Sequence, residues 1–359
     1  MFRGKRPLLA GTKLRKGVGG TGQRRDLQFG TIFRALGLAH DSSPFVAVYD
    51  WRDAQGFGVK AANPGTLPTN ACRAIAFSYD GQHLAAGQTT TPFLNVYAWN
   101  NEGGFGGRLT NPATLPTGQV RAVTWSPYGD YLVCGHAVTP FITVYPWINQ
   151  NFGTKLDDPT DLPAGQINGA AWSPDGRYLV LAVNVSPFIM AYQWTSTGFG
   201  PKVADPASLP AGAGNDVMFH PNGRYIGLGH NGSPSITVYN WDGTDFGAKV
   251  ANPAVLPSGN GNTFAWTTRG DFCCVGTTTT PFVYAYPFTD SFGARMTPAD
   301  TLGSTNHVRW HPSDAYLAVA HGGSPFLSAY NWSGAGFGTL VSSPAVLPPS
   351  TGNEVAWHL

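Results

Sequence analysis

The chain has 359 residues, 42% of them hydrophobic and only 12% charged, with 46 glycines and 29 prolines. The apolar content is ample for a core, while so much Gly and Pro and so little charge exclude helical bundles and coiled coils. The net charge of +2 hides an asymmetry: residues 1–25 hold eight Lys and Arg and no acid, and beyond them 14 basic residues face 20 acidic ones.

In chain order, residues 1–30 come first, as a basic, Gly-rich arm. Gly4, Gly11, Gly17, Gly19, Gly20 and Gly22 interrupt it and no hydrophobic period runs through it, so it cannot bury a core by itself. Its apolar run at residues 7–10 is too short for a secretory leader. No stretch approaches the roughly 20 apolar residues of a membrane span, so neither a signal peptide nor membrane insertion is expected. The arm is expected to order only on a partner. Phe2, Leu8, Leu9 and Leu14 supply apolar anchors, and Arg3, Lys5, Arg6, Lys13, Arg15, Lys16, Arg24 and Arg25 are available to pair with acids. Apolar anchors serve little purpose in a purely electrostatic tail, so a groove on a protein is the expected partner and nucleic acid is not.

Residues 31–359 are repetitive. A Pro-Phe corner recurs at Pro44, Pro92, Pro140, Pro187, Pro281 and Pro325, with Pro234-Ser235 filling the gap, at spacings of 48, 48, 47, 47, 47 and 44 residues. Each corner leads into an alternating apolar run ending in an aromatic pair, such as Tyr49 with Trp51 or Tyr97 with Trp99. A Phe-Gly step and a PxxLP turn follow, then a strand signal such as RAVTWSPYGD and a short strand such as YLVCGH. The sixth PxxLP has degenerated to Pro298, Leu302 and Gly303. Four short strands per unit, separated by Gly and Pro turns, predict one blade of a β-propeller. The C-terminal NEVAWHL lacks the strand that should follow it, and TIFRALGLAH near the start of the repeats supplies that strand. Val355 and Trp357 are therefore expected to close the first blade. The predicted fold is all-β: a seven-bladed propeller over residues 31–359, with one blade shared between the two ends of the chain.

The chemistry-bearing residues mostly follow the repeat. All eleven Trp fall at repeat positions, which reads as core packing rather than a sugar platform. His40, His136, His230 and His321 end equivalent short strands, one to a blade, and are expected to hydrogen-bond the adjacent Pro turn rather than share a metal. His220, His311 and His358 occupy a second repeat position and read as further turn supports. Cys72, Cys134, Cys273 and Cys274 show no CxxC spacing, so buried free thiols are expected. The acids lie mainly in turns, at Asp80, Asp130, Asp175, Asp242, Asp245, Asp271 and Asp290. No nucleophile elbow or P-loop is present. The expectation is a chain with no catalytic residues, no metal and no cofactor, and no enzymatic activity.

The SPDG turn followed by YLV, with the aromatic that ends the third strand, resembles WD40-type repeats, except that SPF or TPF stands where that family carries an Asp. The combination of PDGxYLAVAH, SPFxxVYxW, GFGxK and PxxLP is similar to propeller repeats in structural proteins of tailed bacteriophages. That resemblance implies a non-enzymatic structural or adhesion component of a virion, docked on neighbouring virion proteins through the arm, with a host surface glycan or receptor as a further partner. The alternatives are a cytoplasmic WD40-like interaction scaffold and a lectin-like receptor-binding propeller.

Overall fold

The computed structural model describes residues 34–101, 103–300 and 302–358. Their strands form seven antiparallel sheets. We number the blades 1 to 7 by their inner strands, Gly352–Trp357, Cys72–Phe77, Val120–Trp125, Ile167–Trp172, Gly214–Phe219, Gly261–Trp266 and Thr305–Trp310. Blades 1 to 5 and blade 7 have four strands each. In blade 6 the outermost strand is reduced to isolated bridges Ala285↔Met296 and Phe288↔Phe292, in the unit whose PxxLP turn has degenerated.

Local chemistry explains the recurring turns. In blade 2 the Ser78 hydroxyl accepts the His83 amide at 3.0 Å and donates to Asp80, whose carboxylate also accepts the Gln82 amide at 3.0 Å. Ser173 and Asp175 repeat the arrangement in blade 4. Gly81 completes its turn at φ +68°, and an added Cβ there would collide with the imidazole of His358. That imidazole meets the Gly81 carbonyl at 2.9 Å, and His220 meets the Gly270 carbonyl in the same way at 2.9 Å. These histidines support turns, but the turns belong to the neighbouring blade.

At the other end of the strands the Ser-Pro or Thr-Pro bond at each of the seven recurring corners is cis. His136 brackets its corner, with Nδ1 at 2.8 Å from the Val138 carbonyl and Nε2 at 3.0 Å from Thr143. His230 does the same with Asn231 and Thr237, and His321 contacts Ser328. His40 occupies the same position in blade 1 and is fully buried. Burial lowers the pKa of His40, His136 and His321 to about 4, so they are neutral at physiological pH. All four cysteines are buried free thiols.

The core is distributed around the ring. Seven hydrophobic clusters each join one blade to the next. Within blades, inner-strand and third-strand tryptophans meet edge to face, as in Trp125–Trp147 at 4.7 Å and Trp51–Trp357 at 4.9 Å. Such pairs contribute about 0.5–1.5 kcal/mol beyond their buried area. The closing strand Gly352–Trp357 pairs antiparallel with Arg34–His40, placing Val355 opposite Leu38 and Trp357 opposite Leu36. Trp357 also donates from its indole to the Arg309 carbonyl of blade 7 at 3.1 Å.

Replacing Trp357 by Ala is expected to cost about 3–5 kcal/mol, read as a shift in the urea unfolding midpoint. Removing residues 352–359 is expected to expose the edge of strand Arg34–His40 and produce concentration-dependent association in sedimentation.

Candidate functional site

The inner strands line a central cavity of about 770 Å³. Their residues are not equivalent in what they do. The apolar fourth residue of each strand, such as Val123, Val217 or Val355, packs between blades. The second residue of every inner strand lines the cavity, as do Asp216, His307 and Glu354 at the third position and Arg309 at the fifth.

The second residue is Asn in five blades: Asn168, Asn215, Asn262, Asn306 and Asn353. Each donates from Nδ2 to the carbonyl of the first inner-strand residue of the next blade, at 2.8–2.9 Å. These bonds form a belt around the cavity. In blades 2 and 3 the position is held by Arg73 and Arg121 instead.

The third residue is small in blades 2, 3 and 4, as Ala74, Ala122 and Gly169, but polar in the other four, as Asp216, Thr263, His307 and Glu354. The fifth residue is uncharged everywhere except blade 7, where it is Arg309. Four consecutive blades thus bring two carboxylates, an imidazole and a guanidinium to one sector of the channel, with the Thr263 hydroxyl buried behind them.

Asp216 anchors this group. Its Oδ1 accepts the Val217 amide at 2.9 Å, and its Oδ2 accepts from the Thr263 hydroxyl at 2.9 Å, the Phe264 amide at 3.1 Å and Arg309 Nη1 at 3.0 Å. Burial acts to raise its pKa, but the charge of Arg309 and the hydrogen bonds from Arg309 and the Phe264 amide outweigh burial and hold the carboxyl below its usual range. Arg309 in turn stays charged: burial opposes it, and the Asp216 carboxylate more than compensates.

His307 accepts the Val355 amide on Nδ1 at 3.2 Å, which assigns the proton to Nε2. Nε2 lies 3.8 Å from both Asp216 Oδ2 and Glu354 Oε1. Burial, then the charge of Arg309, lower its pKa to about 3, so the ring is neutral and the two contacts are dipolar rather than ionic. Glu354 is the opposite case to Asp216. Burial pushes its carboxyl well above the ordinary carboxylate range, and Arg309 only partly offsets it. Two carboxylic acids whose environments drive their pKa values apart form an acid–base constellation. Among the described residues no group of three His, Cys, Asp or Glu side chains is arranged to hold a metal.

The residues singled out from sequence sit elsewhere. Val355 and Trp357 flank the cavity on the closing strand, with Val355 in the core between blades 7 and 1. The arm residues Phe2, Arg3, Lys5, Arg6, Leu8, Leu9, Lys13, Leu14, Arg15, Lys16, Arg24 and Arg25 lie outside the described residues. Asp216, His307, Arg309 and Glu354 were missed because attention fell on what the repeats share. The signal was present as a departure: charged residues in strands whose counterparts carry Ala or Gly.

No family model and no curated protein matches the sequence. Solved structures do match the fold. A Bacteroides uniformis protein named as a 6-phosphogluconolactonase superposes with a TM-score of 0.71 at 14% identity, covering 90% of this chain and 99% of its own. The periplasmic gluconolactonase of Pseudomonas aeruginosa gives 0.69 at 14%, covering 91% and 99%. A Bacteroides fragilis protein, also named as a 6-phosphogluconolactonase, gives 0.69 at 13%, covering 90% and 98%. At such identities the likeness is one of fold.

These findings correct two expectations. The non-enzymatic virion component is overturned by neighbours that carry the names of lactone-hydrolysing enzymes. The expectation of no enzymatic activity is overturned by the same neighbours. The channel holds a partly buried acid with raised proton affinity beside a neutral imidazole and a guanidinium paired with Asp216, and its carboxylates lie in strands rather than in turns.

The Asp216→Asn variant, which leaves Arg309 without its counter-charge, is expected to lose about 3 kcal/mol at pH 7. Because the folded-state pKa is depressed, this stabilisation is present above the ordinary Asp value of 3.8 and is lost as pH falls through the lower folded value. Denaturant unfolding of the two proteins should therefore converge below pH 3.8.

Proposed function

We propose that this propeller hydrolyses a lactone of a sugar acid in its central channel. The observation that carries the reading is the pairing of Glu354, whose burial raises its proton affinity, with Arg309, whose charge is fixed by Asp216. Ester-type hydrolysis needs a base for water and a positive group where the oxyanion develops. The names of the structural neighbours support the same chemistry.

In this mechanism Glu354, in its ionised form, takes a proton from water as the water oxygen bonds to the lactone carbonyl carbon. The tetrahedral oxyanion is stabilised by Arg309, whose hydrogen bonds among the described residues all leave from Nη1. Collapse breaks the bond to the ring oxygen. The proton held by Glu354 passes to that oxygen, and the product is the open-chain hydroxy acid. His307 is neutral and its Nδ1 is occupied, so it does not act as the base.

The test is acid release from glucono-δ-lactone in a pH-stat, corrected for spontaneous hydrolysis. Glu354 must be deprotonated to act and its pKa lies above 4.5, so kcat/KM is expected to rise with pH along a limb well above that value. Glu354→Gln is expected to remove the limb and lower kcat by about 10²–10⁴-fold. Full activity in that variant would sink the assignment.

A further inference from the structure

We propose that the channel contains an anion-binding subsite formed by Arg121 and Arg73, and that the molecule processed there carries a phosphate or carboxylate group. This rests on the lactone-hydrolysis reading for the identity of the reacting group, but the subsite itself stands on separate observations.

The first is the interrupted belt. Five blades place at this position an Asn that bonds to the next blade, so Asn satisfies the structural requirement of the ring. Blades 2 and 3 give up that bond for guanidinium groups that line the same cavity as Glu354. The second is charge balance. Arg73 has a carboxylate partner in Asp41 at 3.0 Å and also donates to Asn353 at 2.9 Å. Arg121 has no ion pair among the described residues. Its partner is the neutral amide of Gln119, which accepts from Nη2 at 2.9 Å and from Nε once the amide is oriented with oxygen toward the guanidinium. Burial and the nearby charge of Arg73 both disfavour its cationic form. Two cations held together at a cavity wall, one lacking a counter-ion, form a receptor for an anion with several acceptor oxygens. The third is position. Blades 2 and 3 follow blade 1 around the ring, so a ligand anchored on the arginines extends across the cavity toward Glu354.

The Arg121→Asn variant installs the residue that five other blades already carry, which keeps the fold testable, and an unchanged melting temperature verifies this. Calorimetric titration uses two probes, inorganic phosphate and malonate, on wild type and variant. Wild type is expected to bind at least one, and the preferred probe identifies phosphate or carboxylate as the natural group. Arg121→Asn is expected to weaken that binding at least tenfold. In turnover, the same variant is expected to lower kcat/KM for a phosphorylated or carboxylated lactone at least tenfold relative to glucono-δ-lactone. Absence of binding by wild type, or equal binding by the variant, overturns the subsite even if lactones are hydrolysed. Loss of anion binding in Arg121→Asn with no hydrolysis of any lactone upholds the subsite and overturns the reaction instead.

Discussion

Every sheet in this molecule has two apolar faces, and each can be buried only against another sheet of the same kind. That constraint forces a ring. Seven clusters join seven blades; an open row would have one fewer and would leave two apolar faces in water. The cluster between blades 7 and 1 contains Leu36, Leu38, Val355 and Trp357 together with Tyr316, Ala318 and Leu327. It therefore depends on the strand Gly352–Trp357 pairing with Arg34–His40. Edge pairing and face burial are satisfied by the same strand, which is why closure is central to the architecture.

Closure also creates the candidate site. Once the fourth residue of each inner strand is committed to packing between blades, the second residue and several at the third and fifth positions look into the channel. Packing asks little of them beyond modest size, as Ala122 and Gly169 illustrate. A charge at the third or fifth position is tolerated best where another compensates it. Asp216 meets this condition with four hydrogen bonds and the charge of Arg309. Glu354 does not, and its raised proton affinity is the consequence. The proposed base is thus the member of the cluster that the structure leaves least satisfied.

The propeller is a scaffold on which many activities are carried, so the fold shared at 13–14% identity with proteins named as lactonases does not by itself assign a reaction. What distinguishes this chain is the asymmetry imposed on a near-regular ring. Blades 5, 6, 7 and 1 supply the acid–base sector, and blades 2 and 3 supply the cationic one. Blade 4, with Asn168 and Gly169, keeps the plain form of the repeat.

The amino-acid sequence alone determined the architecture. The 47-residue period, the corner at Pro92 and its equivalents, the Ser78-to-Gly81 type of turn and the pairing of NEVAWHL with TIFRALGLAH are local signals, and a repeat reads them out seven times. Four strands were expected in every unit, and the weakened outer strand of blade 6, in the unit that lost its PxxLP turn, was not foreseen from the sequence. The channel cluster was not read there. Asp216, His307, Arg309 and Glu354 are spread over nearly 140 positions and match none of the short-range patterns that betray a triad, a metal site or a phosphate loop. Each departs from its own repeat by one residue, and no local spacing relates them. Only the closed ring brings their strands side by side, and only burial within it drives the pKa of Glu354 upward while Arg309 holds Asp216 down. Sequence period determines where a strand lies and which way it faces; the proton affinity of a side chain depends on the solvent it has lost and the charges it has gained, and those exist only after the blades have met.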